Sequence, residues 1–376
     1  MSERVEGTDA LSGRPIVVSF SQTIEAVGAG AGGGGVFLAP GFIDLQVNGF
    51  AGVDFNSPAA PEEEIGRAIR ALLASGVTRF FPTVITGSPQ DMLGALKNLA
   101  AAKARLAEGE AIEGFHVEGP HISPEDGPRG AHPRRWVRRP DLHEFHRWQD
   151  AARGAVRIVT VSPEWPEAHR YIEGIVSEGV VAAIGHTNAT AGQIAEAVRA
   201  GATMSTHLGN GAHAVLPRHP NYIWEQLAED RLAAGFIVDG IHLGAAFLRV
   251  ALRAKEPERR FLVTDAVAPV GCPPGRYRLG EQEVELTSEG RVVLAGQTRL
   301  AGSALRMDQG VANLMRLGGL TLSEAVAMAT LNPARAARIA GREQGLVPGK
   351  RGDVVAFRLG SDGAIEIERT WLAGRC

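Results

Sequence analysis

The sequence predicts an α/β fold: a (β/α)8 barrel of parallel strands, with a small β-domain formed by both chain termini. Three observations predict it. From about residue 41, short apolar or β-branched runs alternate with longer stretches of helical periodicity. Eight such runs occur, and eight βα units over about 300 residues is the arithmetic of a barrel with insertions. Several of the runs end in an acidic residue or a histidine, and a parallel barrel gathers its strand ends at one mouth. A doubly wound open sheet is the structural runner-up.

In chain order the runs are Gly41 to Asn48, Thr78 to Val84, Ile112 to Glu118, Val156 to Ser162, Val180 to Gly185, Ala202 to His207, Ala233 to Asp239 and Arg260 to Asp265. Between them Glu62 to Ala74, Met92 to Leu106, Glu164 to Ser177, Ala191 to Ala200 and Leu243 to Ala254 carry apolar residues at helical spacing, suited to crossover helices. Two regions break the rhythm. Residues 1 to 40 hold Pro15 to Phe20, a glycine run at Gly28 to Gly35 read as a surface turn, and a short strand at Val36 to Leu38. Arg276 to Leu300 reads as an inserted hairpin, followed by helices at Arg306 to Leu317 and Leu322 to Thr330. The tail, Asp353 to Arg358 and Ile365 to Trp371, suggests strands that pair with the amino-terminal ones. The expected division is residues 1–39 with 345–376 for the small β-domain and 40–344 for the barrel. Too few strand-like runs are visible in the first 40 residues to build the amino-terminal half of that domain.

Composition narrows the function. Basic residues number 39 and acidic residues 42, a net charge of -3, so the cationic excess of a nucleic-acid binder is missing. Hydrophobic residues at 44% and charged ones at 22% exclude disorder across the chain. No apolar stretch approaches the about 18 to 20 residues of a membrane helix, and no basic leader with an apolar segment opens the chain. Cys272 and Cys376 could form at most one bridge, so a reducing cytoplasm is the expected compartment. Lysine occurs only at Lys97, Lys103, Lys255 and Lys350.

The third run ends in Glu118, the fifth leads into His186, the sixth ends in His207 and the eighth in Asp265, with His242 just past the seventh. Taken singly, each is ordinarily a hydrogen-bonded polar residue opening a loop. Together at one mouth, two imidazoles and a carboxylate form a familiar ligand set for a catalytic divalent metal that keeps a position for water.

The segments Pro40-Gly41-Phe42-Ile43-Asp44, His116-Val117-Glu118-Gly119-Pro120, Gly185-His186-Thr187-Asn188-Ala189, Thr206-His207-Leu208, Asp239-Gly240-Ile241-His242, Val263-Thr264-Asp265-Ala266 and Ala301-Gly302-Ser303 stand in this order. They resemble the N-acetylglucosamine-6-phosphate deacetylases of the amidohydrolase superfamily. The resemblance runs from about residue 40 to Asn332-Pro333-Ala334 and the closing Gly345 to Asp353. It implies a barrel plus a β-sandwich from both termini. Many amidohydrolases carry His-x-His on the first strand and a carbamylated lysine bridging two metals. Here the first strand reads Gln46-Val47-Asn48, and no lysine closes a barrel strand. The Gln-x-Asn form implies one ion held by Glu118, His186 and His207. Zn²⁺ is expected, with Fe²⁺ and other divalent ions left open because ligand type separates them poorly.

The same resemblance makes Asp265 the group that takes the proton of the hydrolytic water and returns it to the sugar nitrogen. A second-ranked role for Asp265 is orienting a ligand histidine. His132 would polarise the acetyl carbonyl, and Gln46 would line the pocket floor where another metal otherwise sits. Arg218, eight residues after Asn210, would hold the phosphate from a neighbouring subunit, implying a homodimer. His242 would be the other phosphate contact, with Asn210 and Gly211 helping to position the ligand. Departures from the family pattern fall at Gly209 to His213 and at His121. His213 and His219 are either extra phosphate contacts or exposed loop histidines, and the second reading is favoured. Arg134, Arg135, Arg138 and Arg139 around Trp136 read as a solvated lid or interface segment. The expected reaction converts N-acetylglucosamine 6-phosphate to glucosamine 6-phosphate and acetate in amino-sugar catabolism or cell-wall recycling. The alternatives are N-acetylgalactosamine 6-phosphate or an unphosphorylated N-acyl amine as substrate, or a non-catalytic metal-binding barrel.

Overall fold

The computed structural model describes residues 2–32 and 34–376. Its centre is a sheet of eight strands: Phe42–Val47, Val77–Ile85, Phe115–Glu118, Val156–Val161, Val181–Ile184, Met204–Ser205, Ala233–Ile237 and Arg260–Val263. They lie side by side in chain order and all run parallel. A parallel bridge from Val47 to Ala266 joins the last strand to the first. The side-chain alternation of a strand splits the apolar residues in two. Ile43, Leu45, Phe81, Ile158, Val181, Ala183, Ile237 and Phe261 pack together as one cluster inside the ring. Their neighbours Phe42, Phe80, Val159, Ala182, Ala234 and Phe236 pack with the surrounding helices. Strands buried on both faces explain the nearly continuous apolar runs.

Crossover helices follow at Glu62–Leu73, Pro89–Arg105, Ala168–Ser177, Ala191–Arg199 and Ala245–Ala254. Side chains fix several starts: Ser88 accepts from the Asp91 amide, and Thr190 forms a reciprocal cap with Gln193. The helix expected from Glu164 begins instead at Ala168, because Pro166 disfavours helical geometry at Trp165. Three helices lie outside the predicted set: Leu142–Ala151 and Tyr222–Ala228, capped by the Asp141 and Asn221 side chains, and Leu331–Ala336. The first sets Leu142, Phe145 and Trp148 among charged and polar residues, and the second is only 7 residues long. The third strand starts at Phe115 rather than Ile112, since Glu108–Ala111 is a 3-10 turn. After the eighth strand, Gly275–Leu279, Gln282–Leu286 and Val292–Leu294 form a three-stranded antiparallel sheet, one strand more than a hairpin.

Both termini meet in a six-stranded sheet, ordered Ile365–Trp371, Val354–Leu359, Phe37–Pro40, Glu3–Asp9, Pro15–Phe20 and Ile24–Ala29. The first 40 residues therefore supply four strands, more than their sequence promised. Glu3–Asp9 and Ile24–Ala29 were hidden by glycine and charged residues where apolar alternation is sought. Of the glycine run, Gly28 lies within a strand, Gly34 and Gly35 turn at φ 55° and 87°, and Gly33 lies outside the described residues. Phe37–Pro40 continues through Gly41 straight into the first barrel strand. A Cβ at Gly41 would collide with the Thr78 side chain, which accounts for glycine there.

Asp353 locks this sheet to the barrel. It is fully buried, accepting from Arg79 Nε at 2.9 Å, Arg351 Nε at 2.8 Å and the Ala373 amide at 3.0 Å, with Arg342 Nη1 at 3.6 Å. Burial opposes its ionisation, but the three guanidiniums hold its carboxyl below the usual range. Replacing Asp353 with Ala leaves the buried Arg342 uncompensated, and the expected loss is about 3 to 5 kcal/mol. A urea unfolding midpoint unchanged by Asp353→Ala would contradict that role.

Candidate active site

Glu118 is the last residue of the third strand, while His186, His207 and Asp265 each stand two residues beyond the fifth, sixth and eighth. All four are buried. The last three have φ of 49°, 26° and 51°, a left-handed backbone that costs a non-glycine residue about 1 to 3 kcal/mol and is retained where a site requires it. That turn aims each side chain back over the barrel axis as the chain leaves its strand.

Glu118 Oε1 lies 3.3 Å from His186 Nε2 and 3.0 Å from His207 Nε2, and the two Nε2 atoms are 3.0 Å apart. Three donor atoms converge on one point, the only such cluster of His, Cys, Asp or Glu among the described residues. His186 Nδ1 donates to the Pro128 carbonyl at 2.8 Å, which leaves the Nε2 lone pair facing the cluster. Two imidazole nitrogens and a carboxylate oxygen this close need a positive charge between them, and the set fits a divalent cation. Burial works against the charge on Glu118, while hydrogen bonds from His186 and His207 hold its carboxyl well below the usual range. A cation would replace the proton now shared there.

Asp265 borders the cluster. Its Oδ1 accepts from Asn48 Nδ2 at 2.7 Å and from Gln46 Nε2 at 3.1 Å. The same Gln46 nitrogen donates to Glu118 Oε1 at 2.9 Å, so one amide links the two carboxylates from below. Burial and the neighbouring Glu118 charge push Asp265 up to about 6, and a bound dication would draw it back down. His132 Nδ1 is hydrogen-bonded to Thr86 Oγ1 at 2.8 Å, and its ring centroid is 4.4 Å from that of His186. Burial and His186 depress it to about 3, so it is neutral and able to donate.

These groups open into a cavity of about 560 Å³ whose lining includes Asn210, Gly211 and His242, a size suited to a sugar phosphate. Gly211 sits at φ 55°, and a Cβ there would lie 2.6 Å from His186 Nδ1. His242 Nδ1 is 2.6 Å from Asp239 Oδ2. Arg218 stands apart: it is exposed, absent from this cavity, and makes no side-chain hydrogen bond or ion pair among the described residues. His213 corrects the expectation of an exposed loop residue, since it is half-buried, lines the cavity and bonds Tyr222 Oη at 3.0 Å. Its partner Tyr222 belongs to a helix the sequence did not announce. His219 is exposed, and His121 is a core residue packed on Trp148 and Tyr171. The arginine cluster ties loops together: Arg135 and Trp136 donate to Glu281 Oε2 on the inserted sheet, and Arg138 makes a bidentate pair with Glu144. Asn48, Thr86 and Arg299 reach the site without having been singled out. Only Asn48 had a sequence signal, its place two residues after Gln46.

A parallel barrel that brings an acid and two imidazoles to one point, with a further buried aspartate alongside, defines a hydrolase of the amidohydrolase type. The chain belongs to the amidohydrolase family, whose model matches residues 37–375, and within it to the N-acetylglucosamine-6-phosphate deacetylases. The deacetylase of that name from Bos taurus is 37% identical over 91% of this chain and 83% of its own. An N-acetylgalactosamine-6-phosphate deacetylase from Escherichia coli is 32% identical over 90% of this chain and 87% of its own. The structure of a Mycobacterium smegmatis N-acetyl-D-glucosamine-6-phosphate deacetylase variant, in complex with N-acetyl-D-glucosamine-6-phosphate, superposes with a TM-score of 0.90 at 33% identity. It covers 100% of this chain and 98% of that one.

Proposed function

We propose that the protein hydrolyses the acetamide of N-acetylglucosamine 6-phosphate to glucosamine 6-phosphate and acetate, using one divalent ion. The observation that carries this reading is the Glu118, His186 and His207 convergence beside Asp265. A cation held by those three residues supplies Lewis-acid polarisation and a nucleophile at neutral pH, and Zn²⁺ suits the mixed nitrogen and oxygen donors. Asp265, ionised and oriented by Asn48 and Gln46, takes the proton of the hydrolytic water and delivers it to the departing nitrogen. His132 donates to the acetyl oxygen as negative charge builds there. His242, Asn210 and Gly211 hold the sugar phosphate at the cavity wall.

We further place Arg218 in a neighbouring subunit's site. Val215 at 87% and Trp224 at 45% exposure flank it, apolar surface of the kind that partner chains cover. Light scattering at micromolar protein should return twice the chain mass. The cytoplasm is the proposed compartment, because Cys272 and Cys376 are free thiols and no helix among the described residues is long and apolar enough to cross a membrane.

The second reading, N-acetylgalactosamine 6-phosphate as substrate, is supported by the Escherichia coli relative. Acetate release from both sugar phosphates and from free N-acetylglucosamine separates the readings. Preference for the gluco phosphate is expected. Equal turnover of the free sugar would overturn the phosphate assignment, and no acetate from any of the three would overturn the reaction.

A further inference from the structure

Arg299 is the only residue with a permanent positive charge among those lining the cavity, and nothing in the reaction as derived uses it. Its backbone is fixed to the wall that carries Asp265. The Leu294 amide donates to the Arg299 carbonyl at 2.9 Å, Val293 and Leu300 form an antiparallel bridge, and the Ser303 amide donates to the Asp265 carbonyl at 2.9 Å. From that wall the side chain reaches the adjoining loop, where Nη1 donates to the Gly130 carbonyl at 3.2 Å, two residues before His132.

The hold on the guanidinium is slight. Its one ion pair, to Asp126, is 3.7 Å long, and the side chain is 38% exposed. Most of the five N–H donors of an arginine are therefore open to a ligand. Depth assigns the ends of that ligand. The side chains of Glu118, His186 and His207 are at most 7% exposed, so an amide cut there leaves the rest of the molecule pointing toward the rim where Arg299 lies. A bound dication is balanced by Glu118 and Asp265 on the floor, so the charge of a dianionic ligand needs its own countercharge at the rim.

We infer that Arg299 contacts the phosphate group of the substrate and, within one chain, sets the preference for phosphorylated over unphosphorylated amino sugars. This rests on the reading of the protein as an amino-sugar-phosphate deacetylase. It differs from the part given to Arg218, which a neighbouring chain would have to supply.

The test compares metal-loaded wild type with Arg299→Ala and Arg299→Lys, measuring kcat and KM for N-acetylglucosamine 6-phosphate and competitive inhibition by inorganic phosphate. Loss of a charge-assisted, bidentate contact should raise KM and the phosphate inhibition constant about 10- to 100-fold in Arg299→Ala, with kcat changed less than about 3-fold. Lysine, a point charge without the fork, should restore only part of the loss. An unchanged KM and inhibition constant would overturn the assignment. A fall in kcat at constant KM would overturn it too, because Arg299 would then act by bracing the His132 loop. Should wild type release no acetate from any amino-sugar phosphate, the functional reading fails, while binding of inorganic phosphate to wild type and Arg299→Ala still decides whether this arginine holds phosphate.

Discussion

Asp265→Asn should lower kcat for acetate release by about 10²- to 10⁴-fold, the range general acid-base catalysis contributes, while the protein keeps its metal. The substitution preserves shape but removes the charge that accepts a proton. The partners now donating to Oδ1, Asn48 and Gln46, would meet an amide that cannot accept through both its atoms. pH gives an independent sign. Asp265 works as a base only when ionised, so activity must rise with pH through its pKa and fall below it. Burial and Glu118 place that pKa at about 6 without a cation, and a bound dication moves it lower. Wild-type kcat/KM should therefore show an acid limb at or below about pH 6, missing from the residual activity of Asp265→Asn. Turnover near wild type in that variant would leave Asp265 as an orienting group only.

His207→Ala should cost at least about 10³-fold in activity together with the bound metal, because without the ion the attacking water loses the several units of acidity it is given. His207 lies at the centre of the donor set, 3.0 Å from both Glu118 Oε1 and His186 Nε2. Its removal leaves two ligands where a catalytic site normally has three. The fold should survive, since the apolar cluster within the barrel does not include His207. Metal analysis and circular dichroism on the same sample check both halves. A variant that retains stoichiometric metal would exclude His207 from the ligand set.

Much of this site is legible in the sequence. Glu118, His186, His207 and Asp265 could be read because barrel topology converts strand ends into neighbours, so order along the chain was enough. Gln46 was legible through the missing His-x-His pattern, although its bond to both carboxylates was not. Residues arriving from loops were harder. Arg299 belongs to an inserted sheet whose direction over the mouth depends on long-range contacts such as Gly280 to Asp54, and no periodicity encodes that. His213 was misplaced for the same reason, since its burial depends on Tyr222. In the fold, the strands hidden from sequence were Glu3–Asp9 and Ile24–Ala29, whose pairing with neighbours supplies the order that their own composition does not.

The most direct test is a metal titration of the metal-free protein, with acetate release from N-acetylglucosamine 6-phosphate as the readout. Activity should be absent at the start, rise linearly with added Zn²⁺ and saturate at one equivalent per chain. Full activity in the metal-free protein, or saturation only at two equivalents, would contradict a single ion held by Glu118, His186 and His207.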